Sequence, residues 1–307
     1  MQTPGVYVEL RDLAALQYQV RGLSFRHRQP VHSVLAGRHG SRMRGRGLDF
    51  EEIRGYLPGD DIRTIDWRVT ARTGEPHVRV YTEERDRPIL LVVDQRMSMY
   101  WGTKLNLKSV TAAEAAALVA WTALDAGDRV GALVFDDTSI AEVRPHRSRS
   151  AVMQLLRAVT DRNQSLRADS PTQSAPSMLD QALAGAERLV THDYLVVVVS
   201  DFDVDRDAAQ KRLLRLSRHN DVLCLVVHDP SATNLPPVAD LVISDGELQV
   251  ELPGDRGTHK RMADFGADRI AQVLDWQRAV GVPMLPLSSG ESTIAQLRHL
   301  LGVEAAR

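Results

Sequence analysis

The segment Ile89–Val93 constrains the fold most strongly, because five consecutive apolar residues lead directly into an aspartate, Asp94. A short apolar run of this kind is typical of a strand that is covered on both faces, as in a parallel α/β sheet. Residues 194–199 repeat the pattern and are followed by Ser200 and Asp201. Open α/β sheets bind ligands at the carboxyl ends of their strands. We therefore expect Asp94 and Asp201 to lie at the functional edge of one sheet.

From Pro88 onward, strand-like and helix-like segments alternate to the end of the chain. The Ala-rich segment from about 106 to 125 is typical of a helix packed closely on a sheet, and a strand at 129–135 follows it. This alternation predicts an α/β fold with a mostly parallel sheet and helices on both faces. We assign the α/β domain to residues 86–305.

Residues 1–85 differ in character and are predicted to form an N-terminal segment, an extended or β arm that packs on the domain as a second layer or small subdomain. The segment begins with a short helix within 6–25. Four glycines and four arginines then make 37–47 a loop. Residues 77–83 alternate between apolar and polar side chains, as in an edge or hairpin strand.

The composition argues against several classes of function. The formal net charge is −2, and acidic residues follow the arginine-rich loop, so we do not expect nucleic-acid binding. The single cysteine, Cys224, excludes a disulfide framework. No apolar run reaches the ~18 residues of a membrane span, and the N-terminus lacks a signal-peptide pattern. We therefore expect a soluble cytoplasmic protein.

Hydroxyl groups near the two carboxylates suggest a metal site. Ser98 follows Asp94 by four residues, and Ser177 opens the helix that precedes the second buried strand. Carboxylate and hydroxyl oxygens are the ligands that hard divalent cations prefer. The candidate metal ligands are therefore Asp94, Ser98, Ser177 and Asp201, with Mg²⁺ or Mn²⁺ as the candidate cofactor.

The same residues resemble the metal-ion-dependent adhesion site of von Willebrand factor A domains, whose motif is Asp-x-Ser-x-Ser followed by a Thr and an Asp. In this chain Asp94-Gln95-Arg96-Met97-Ser98 stands at the first motif, Ser177 at the threonine and Asp201 at the last aspartate. The resemblance implies a von Willebrand factor A-like, Rossmann-like sheet. Arg96 departs from the motif, because it replaces the first serine.

The segment from Arg44 to Met99 more closely resembles a bacterial family called domain of unknown function 58. The motifs that carry this resemblance are Arg44–Phe50, Tyr56–Asp61, Ile65–Trp67 and Thr70–Arg72. The resemblance extends over about residues 30–305. It implies a family-specific N-terminal segment, an association with MoxR-type AAA+ ATPases in a chaperone-like or maturation role, and no established enzymatic activity.

Arg96 leaves three alternatives open at the candidate metal site. Its guanidinium is permanently charged, and two unit charges ~4 Å apart repel by several kcal/mol at a protein-like dielectric. A metal ion therefore binds only if Arg96 points outward. Alternatively, Arg96 pairs with Asp94 or Asp201 and plugs the edge. In the third alternative, the two aspartates only cap helices and strand ends.

Residues 48–87 combine many charges with aromatic side chains, and two interpretations are open. In the first, Arg–carboxylate pairs around Tyr56 and Trp67 hold the block together. In the second, the block is a docking face for a partner protein. The candidate partner-binding residues are Asp60, Asp61, Arg63, Asp66, Trp67 and Arg72.

The sequence lacks a Gly-rich Lys loop for nucleotides, a His-Glu-x-x-His motif and a Gly-x-Ser-x-Gly motif. We therefore expect a non-enzymatic protein-interaction module that works with a MoxR-type AAA+ ATPase and a client protein. Its binding face is predicted at the carboxyl edge of the sheet and the loops at 136–148 and 161–176. The alternative is a Mg²⁺-dependent phosphoryl-transfer hydrolase that uses the aspartates at the strand ends.

Overall fold

The computed structural model describes residues 5–23, 48–58, 60–83, 88–169, 175–232, 240–244, 249–253 and 256–301. The chain divides into two compact units, a larger one of residues 1–28 with 87–307 and a smaller one of residues 29–86. The start of the chain therefore belongs with the α/β domain, whereas the sequence placed it in a common segment with residues up to 85. The predicted Arg/Gly loop at 37–47 lies outside the described residues.

The elements of regular structure follow one another in the order expected for alternating strands and helices. In chain order they are α1 (Leu10–Ala15), β1 (Leu48–Gly55), α2 (Trp67–Thr73), β2 (His77–Glu83), β3 (Ile89–Asp94), α3 (Lys108–Asp125), β4 (Val130–Phe135), β5 (Ile140–His146), α4 (Arg149–Ser165), α5 (Ser177–Leu189), β6 (Leu195–Ser200), α6 (Arg206–Leu216), β7 (Asp221–His228), β8 (Asp240–Ser244), β9 (Gln249–Pro253), α7 (Arg256–Val280), β10 (Met284–Ser288) and α8 (Thr293–Leu300). Short 3₁₀ turns lie at Leu16–Tyr18, Ile62–Thr64, Met97–Met99 and Pro230–Ala232.

Six strands of the larger unit form one sheet in the order β10-β7-β6-β3-β4-β5. Neighbouring strands are parallel except for β4 and β5, which are antiparallel. The chain first adds β4 and β5 on one side of β3 and then crosses to β6 on the other side. The topological switch point, where ligands bind in open α/β sheets, therefore lies between β3 and β6.

Helices cover both faces of this sheet, which explains why its central strands are apolar throughout. Every residue of β3, β4 and β6 is buried. Helices α3 and α4 contribute to the core on one face, and α5, α6 and α7 contribute on the other. The predicted fold class, an α/β fold with a mostly parallel sheet between two layers of helices, is confirmed.

Helix α4 continues to Ser165, although the sequence predicted a loop at 161–176. One polar side chain of this stretch lies inside the fold, since Asn163 is fully buried. Its Oδ1 accepts a hydrogen bond from the amide of Val8 at 2.9 Å, and its Nδ2 donates to Oε1 of Gln95 at 3.1 Å. A buried amide with satisfied partners is compatible with a helix, so the predicted loop is shorter than expected.

The N-terminal residues pack on α3 and α4. Leu13 belongs to the same hydrophobic cluster as β3 and α3 and is buried. The indole Nε1 of Trp121 donates to the carbonyl oxygen of Leu13 at 3.0 Å. The amide of Leu107 donates to the carbonyl oxygen of Gly5 at 2.7 Å. Residues 5–23 therefore contribute to the core of the domain.

We expect Leu13→Ala to lower the free energy of unfolding by about 2–5 kcal/mol, because it leaves a cavity in the core. Tyr18→Ala is the matched control, since Tyr18 lies in the same segment and is 78% exposed. The control should change stability by less than about 0.5 kcal/mol. Urea denaturation followed by circular dichroism measures both variants. An unchanged midpoint for Leu13→Ala would show that this segment does not contribute to the core.

The smaller unit is built on the antiparallel pair of β1 and β2, with α2 in the connection. The carboxylate of Asp66 caps α2 by accepting from the amides of Arg68 and Val69 at 3.0 and 3.1 Å. Gly74 ends the helix with a left-handed φ of 80°, which glycine adopts without strain. The strand predicted at 77–83 is confirmed as β2.

Strands β8 and β9 form an antiparallel pair. Among the helices that the structure describes, none has both the length and the apolar character to cross a membrane.

Candidate functional site

Asp94 is the last residue of β3, and Asp201 directly follows β6, the strand beside it. Both carboxylates therefore lie at the switch point of the sheet. Asp94 has no exposed surface, and the side chain of Asp201 is only 9% exposed. Carboxylates that are removed from water in this way need charged or hydrogen-bonding partners.

Arg96 supplies the main partner, because its guanidinium lies between the two carboxylates and is completely buried. Its Nε donates to Oδ1 and Oδ2 of Asp94 at 3.0 and 3.2 Å, and its Nη2 donates to Oδ2 of Asp94 at 2.7 Å. The same Nη2 is 3.4 Å from Oδ1 of Asp201. Although burial opposes it, the carboxylates raise the pKa of Arg96 above its ordinary value. Arg96 therefore points into the site and carries its charge there.

Backbone carbonyls and an aromatic ring hold the other side of the Arg96 guanidinium. Its Nη1 donates to the carbonyl oxygen of Asp203 at 2.9 Å and to that of Ala175 at 3.4 Å. The guanidinium carbon lies 5.7 Å from the centre of the Phe135 ring, within the range of a cation–π contact. The protein thus accepts hydrogen bonds from all three nitrogens of the guanidinium, and the Phe135 ring lies within cation–π range of the group.

Asp94 receives hydrogen bonds from the chain around it as well. The amide of Arg96 donates to Oδ1 of Asp94 at 3.0 Å, and the hydroxyl of Ser200 donates to Oδ2 at 2.6 Å. Burial raises the pKa of the Asp94 carboxyl group, while the Arg96 guanidinium and the Ser200 hydroxyl oppose this shift. Asp94 is therefore the centre of a buried network rather than an open ligand.

Lys108 is the second cation of the site, and its role was not predicted from the sequence. Its Nζ donates to Oδ2 of Asp201 at 2.7 Å. Burial would raise the pKa of Asp201, but the ammonium of Lys108 and the guanidinium of Arg96 outweigh burial and hold that pKa at about 2. One sequence signal existed, because Lys108 begins α3, and a positive charge at a helix N-terminus is unfavourable unless something else stabilises it.

Asp137 ties together the two loops that flank Arg96. Its Oδ2 accepts from the amide of Met97 at 2.6 Å, and its Oδ1 accepts from the amide of Ala175 at 2.7 Å. The loop after β4 therefore fixes the loop after β3 and the start of the segment that leads into α5. Asp137 belongs to the stretch 136–148 that was predicted as a binding loop, and its contacts lie at the carboxyl edge of the sheet.

The two candidate hydroxyl ligands lie in different environments. The hydroxyl oxygen of Ser98 is buried and has no hydrogen-bond partner among the described residues. Ser177 is exposed at the first position of α5. Its side chain makes none of the contacts around Asp94 and Asp201 that the structure describes.

The residues at this edge do not fit a divalent metal ion as they stand. Each of the four carboxylate oxygens of Asp94 and Asp201 already accepts a hydrogen bond from a cation, a hydroxyl or a backbone amide. Within the part of the chain that the structure describes, no group of three or more His, Cys, Asp or Glu side chains could hold a metal ion. A metal ion would also have to lie beside the charge of Arg96, which disfavours it.

The smaller unit separates the predicted partner-binding residues into two groups. Asp60 and Asp66 are structural, because Arg54 binds Asp60 through two hydrogen bonds of 2.8 Å and Arg79 binds Asp66 at 2.8 Å. Arg54 and the amide of Leu57 lower the pKa of Asp60 to about 2. These pairs agree with the interpretation in which Arg–carboxylate contacts hold the block together.

The other predicted residues of this unit are open to solvent. Trp67 is 68% exposed, and Arg63, Arg72 and Asp61 are exposed as well. Asp61 caps the 3₁₀ turn at Ile62–Thr64 by accepting from the amide of Arg63 at 2.9 Å. Leu57 and Ile62 are large apolar side chains with a similar exposed fraction, 60% and 65%. We use the name Trp67 face for the set of exposed residues Leu57, Ile62, Arg63, Trp67, Arg68 and Arg72, which are grouped by their exposure and their closeness in sequence.

Residues 52–272 match the model of a family described as "Protein of unknown function DUF58". The chain belongs to the DUF58 family. The predicted family is thereby confirmed, and the match includes most of the smaller unit and the carboxyl edge of the sheet.

Individual proteins are similar to this chain over most of its length. An uncharacterized protein of Mycobacterium tuberculosis is 31% identical over 288 residues, which are 93% of this chain and 89% of the relative. BatB from Bacteroides thetaiotaomicron has a TM-score of 0.42 and 13% identity, covering 70% of this chain and 95% of that structure. The SpRpn10 VWA domain has a TM-score of 0.39 and 10% identity, covering 71% and 98%.

Proposed function

We propose that this DUF58 protein is a non-enzymatic protein-interaction module that binds a MoxR-type AAA+ ATPase and acts with it on a client protein in assembly or maturation. Membership of the DUF58 family supports the association with a MoxR-type ATPase, because the resemblance to this family implies such a partner. The observation that carries the interaction role is the exposed Trp67, which lies within the family-specific segment of the chain.

Trp67 is unusual as a surface residue, because tryptophan side chains are on average highly buried. Arg68 and Arg72, both exposed, follow Trp67 on α2 and stand at an i,i+4 spacing from each other. Neither arginine takes part in an ion pair among the described residues, and like charges at this spacing are slightly destabilising. Tryptophan and arginine dominate the binding energy of protein interfaces. The Trp67 face therefore has the composition of a docking surface.

The charges of the Trp67 face indicate the chemistry of its partner. Arg63, Arg68 and Arg72 are complementary to a protein surface that presents carboxylates around an apolar pocket for the indole. Trp67, Leu57 and Ile62 are large exposed apolar side chains, and an apolar pocket on a protein buries them better than a charged phosphate backbone does. The composition thus favours an acidic protein surface over a nucleic acid.

The phosphoryl-transfer alternative is less well supported by the geometry. A Mg²⁺-dependent hydrolase needs carboxylate oxygens that are free to hold the metal ion. Here Arg96 engages Asp94 at 2.7 Å, and Lys108 engages Asp201 at 2.7 Å. We therefore favour the interaction module.

Biolayer interferometry tests the proposal, with the purified full chain on the sensor and the MoxR-type ATPase encoded beside its gene in solution. We expect saturable binding with a Kd of about 10 μM or tighter. Lack of binding at about 100 μM ATPase would contradict the proposed partnership. A phosphate-ester assay with Mg²⁺ or Mn²⁺ serves as the parallel test. Turnover that disappears in Asp94→Asn would favour the hydrolase instead.

A further inference from the structure

The carboxyl edge of the sheet contains matched positive and negative charges from the chain itself. Asp94 and Asp201 are the two acidic groups, and Arg96 and Lys108 each contact one of them at 2.7 Å. Arg96 also reaches Asp201 at 3.4 Å and so links the two pairs. One divalent cation between two carboxylates would give the same balance of charge.

Contacts on several sides hold the Arg96 side chain in this position. Its side chain has no exposed surface, and its guanidinium donates to the carbonyl oxygens of Asp203 and Ala175 as well as to the carboxylates. Moving the side chain to solvent would leave the fully buried Asp94 carboxylate and these part-buried carbonyl oxygens without their donor, which is costly. The guanidinium is therefore a permanent part of the folded edge.

Lys108 is also a largely buried cation that contacts one of the two carboxylates. It begins α3, where the helix dipole disfavours a positive charge. Its side chain is nevertheless only 14% exposed, and its ammonium is directed at Asp201. The carboxylate that it neutralises explains why a lysine is accommodated there.

Ser98 is the oxygen that this arrangement leaves unused. Its hydroxyl is buried close in sequence to Arg96 and has no hydrogen-bond partner among the described residues. Buried polar groups are normally satisfied, so the Ser98 hydroxyl is an oxygen of the loop after β3 that no described residue uses.

We infer that Arg96 and Lys108 permanently replace a divalent cation at this edge. The native chain holds the loops after β3 and β6 without a metal ion, and the guanidinium of Arg96 excludes one. Removing that guanidinium leaves Asp94, Ser98 and Asp201 as oxygen ligands for Mg²⁺ or Mn²⁺. This inference concerns the chemistry of the edge and is independent of the partner proposed above.

Electron paramagnetic resonance of free Mn²⁺ tests the inference on the full-length chain. Wild type should bind no Mn²⁺ up to about 1 mM, a concentration at which weak oxygen-ligand sites fill. Arg96→Ser should gain at least about tenfold in Mn²⁺ affinity over wild type and come within the range of weak oxygen-ligand sites. The matched control, Arg96→Ser with Asp201→Asn, should lose that gain. A folded Arg96→Ser variant that binds no Mn²⁺ would overturn the assignment of Arg96 as the excluding group.

A second measurement decides the inference if Arg96→Ser does not fold. The melting temperature of wild type should be the same in EDTA and in millimolar Mn²⁺. A rise in Mn²⁺ that is absent in Asp201→Asn would show that the native edge binds a metal ion, and the inference would be wrong. Equal melting temperatures, together with no Mn²⁺ binding to wild type, support it.

Discussion

Replacing Arg96 with methionine is expected to lower the free energy of unfolding by about 3–5 kcal/mol, because it leaves the buried carboxylate of Asp94 without its charged partner. The guanidinium donates to Asp94 through both Nε and Nη2, and Asp94 has no exposed surface. Methionine fills a similar volume, so the loss reports the charge more than the cavity. Urea denaturation in EDTA measures the effect without any contribution from metal ions.

Two variants control for this effect. Arg72→Met removes an exposed arginine and should change stability by no more than about 0.5 kcal/mol. The double variant Asp94→Asn with Arg96→Met removes both partners of the buried pair and should recover part of the loss. A loss below about 1 kcal/mol for Arg96→Met, the level of an exposed ion pair, would show that Arg96 does not hold the edge together.

Trp67→Ala is expected to weaken binding of the MoxR-type ATPase by about 30-fold or more, the loss typical of an interface hot spot. The side chain is 68% exposed, so its removal should leave the stability of the unbound chain nearly unchanged. Biolayer interferometry of wild type and variant gives the ratio of Kd values, and thermal melting checks that the variant is folded.

Tyr18→Ala is the matched control for Trp67→Ala, because Tyr18 is an equally exposed aromatic residue in the larger unit. Its Kd should equal that of wild type. If wild type binds the ATPase and Trp67→Ala binds it equally well, the partnership stands and the Trp67 face is not the docking surface. If wild type itself does not bind, the partnership is wrong.

The sequence predicted the fold and the meeting of Asp94 with Asp201 because both depend on local patterns. Continuous apolar runs predicted the central strands, and the alternation of strands with helices predicted a parallel sheet. An aspartate at the end of each of two such strands then has to lie at the carboxyl edge. The departure of Arg96 from the resembled motif marked the critical residue, although the direction of its side chain stayed open.

Other parts of the site depend on contacts between residues that are distant in sequence. Lys108 reaches Asp201 across 93 positions, and Asp137 binds the amide of Met97 across 40. Asn163 binds the amide of Val8 across 155 positions. This buried contact lies near the end of α4, where the sequence predicted a polar loop. No periodicity or motif of a single sequence encodes such pairs, because each side chain alone is compatible with an exposed position.

The same reasoning applies to the smaller unit. The sequence grouped Asp60, Asp61, Arg63, Asp66, Trp67 and Arg72 as one candidate face, since all are polar or aromatic and close together. The structure separates them by their partners, because Arg54 neutralises Asp60 and Arg79 neutralises Asp66. Which charges of a dense block are paired is a property of the fold, and only the remaining ones are open to a partner.

A crystal structure of the wild-type chain grown or soaked in Mn²⁺, with anomalous diffraction data, tests the central claim most directly. The claim is that the protein's own cations occupy the edge at which Asp94 and Asp201 meet. We predict density for the Arg96 guanidinium between the two carboxylates, with Lys108 bound to Asp201 and no anomalous peak within coordination distance of either aspartate. An anomalous peak between the two carboxylates, with Arg96 turned away from them, would contradict the claim.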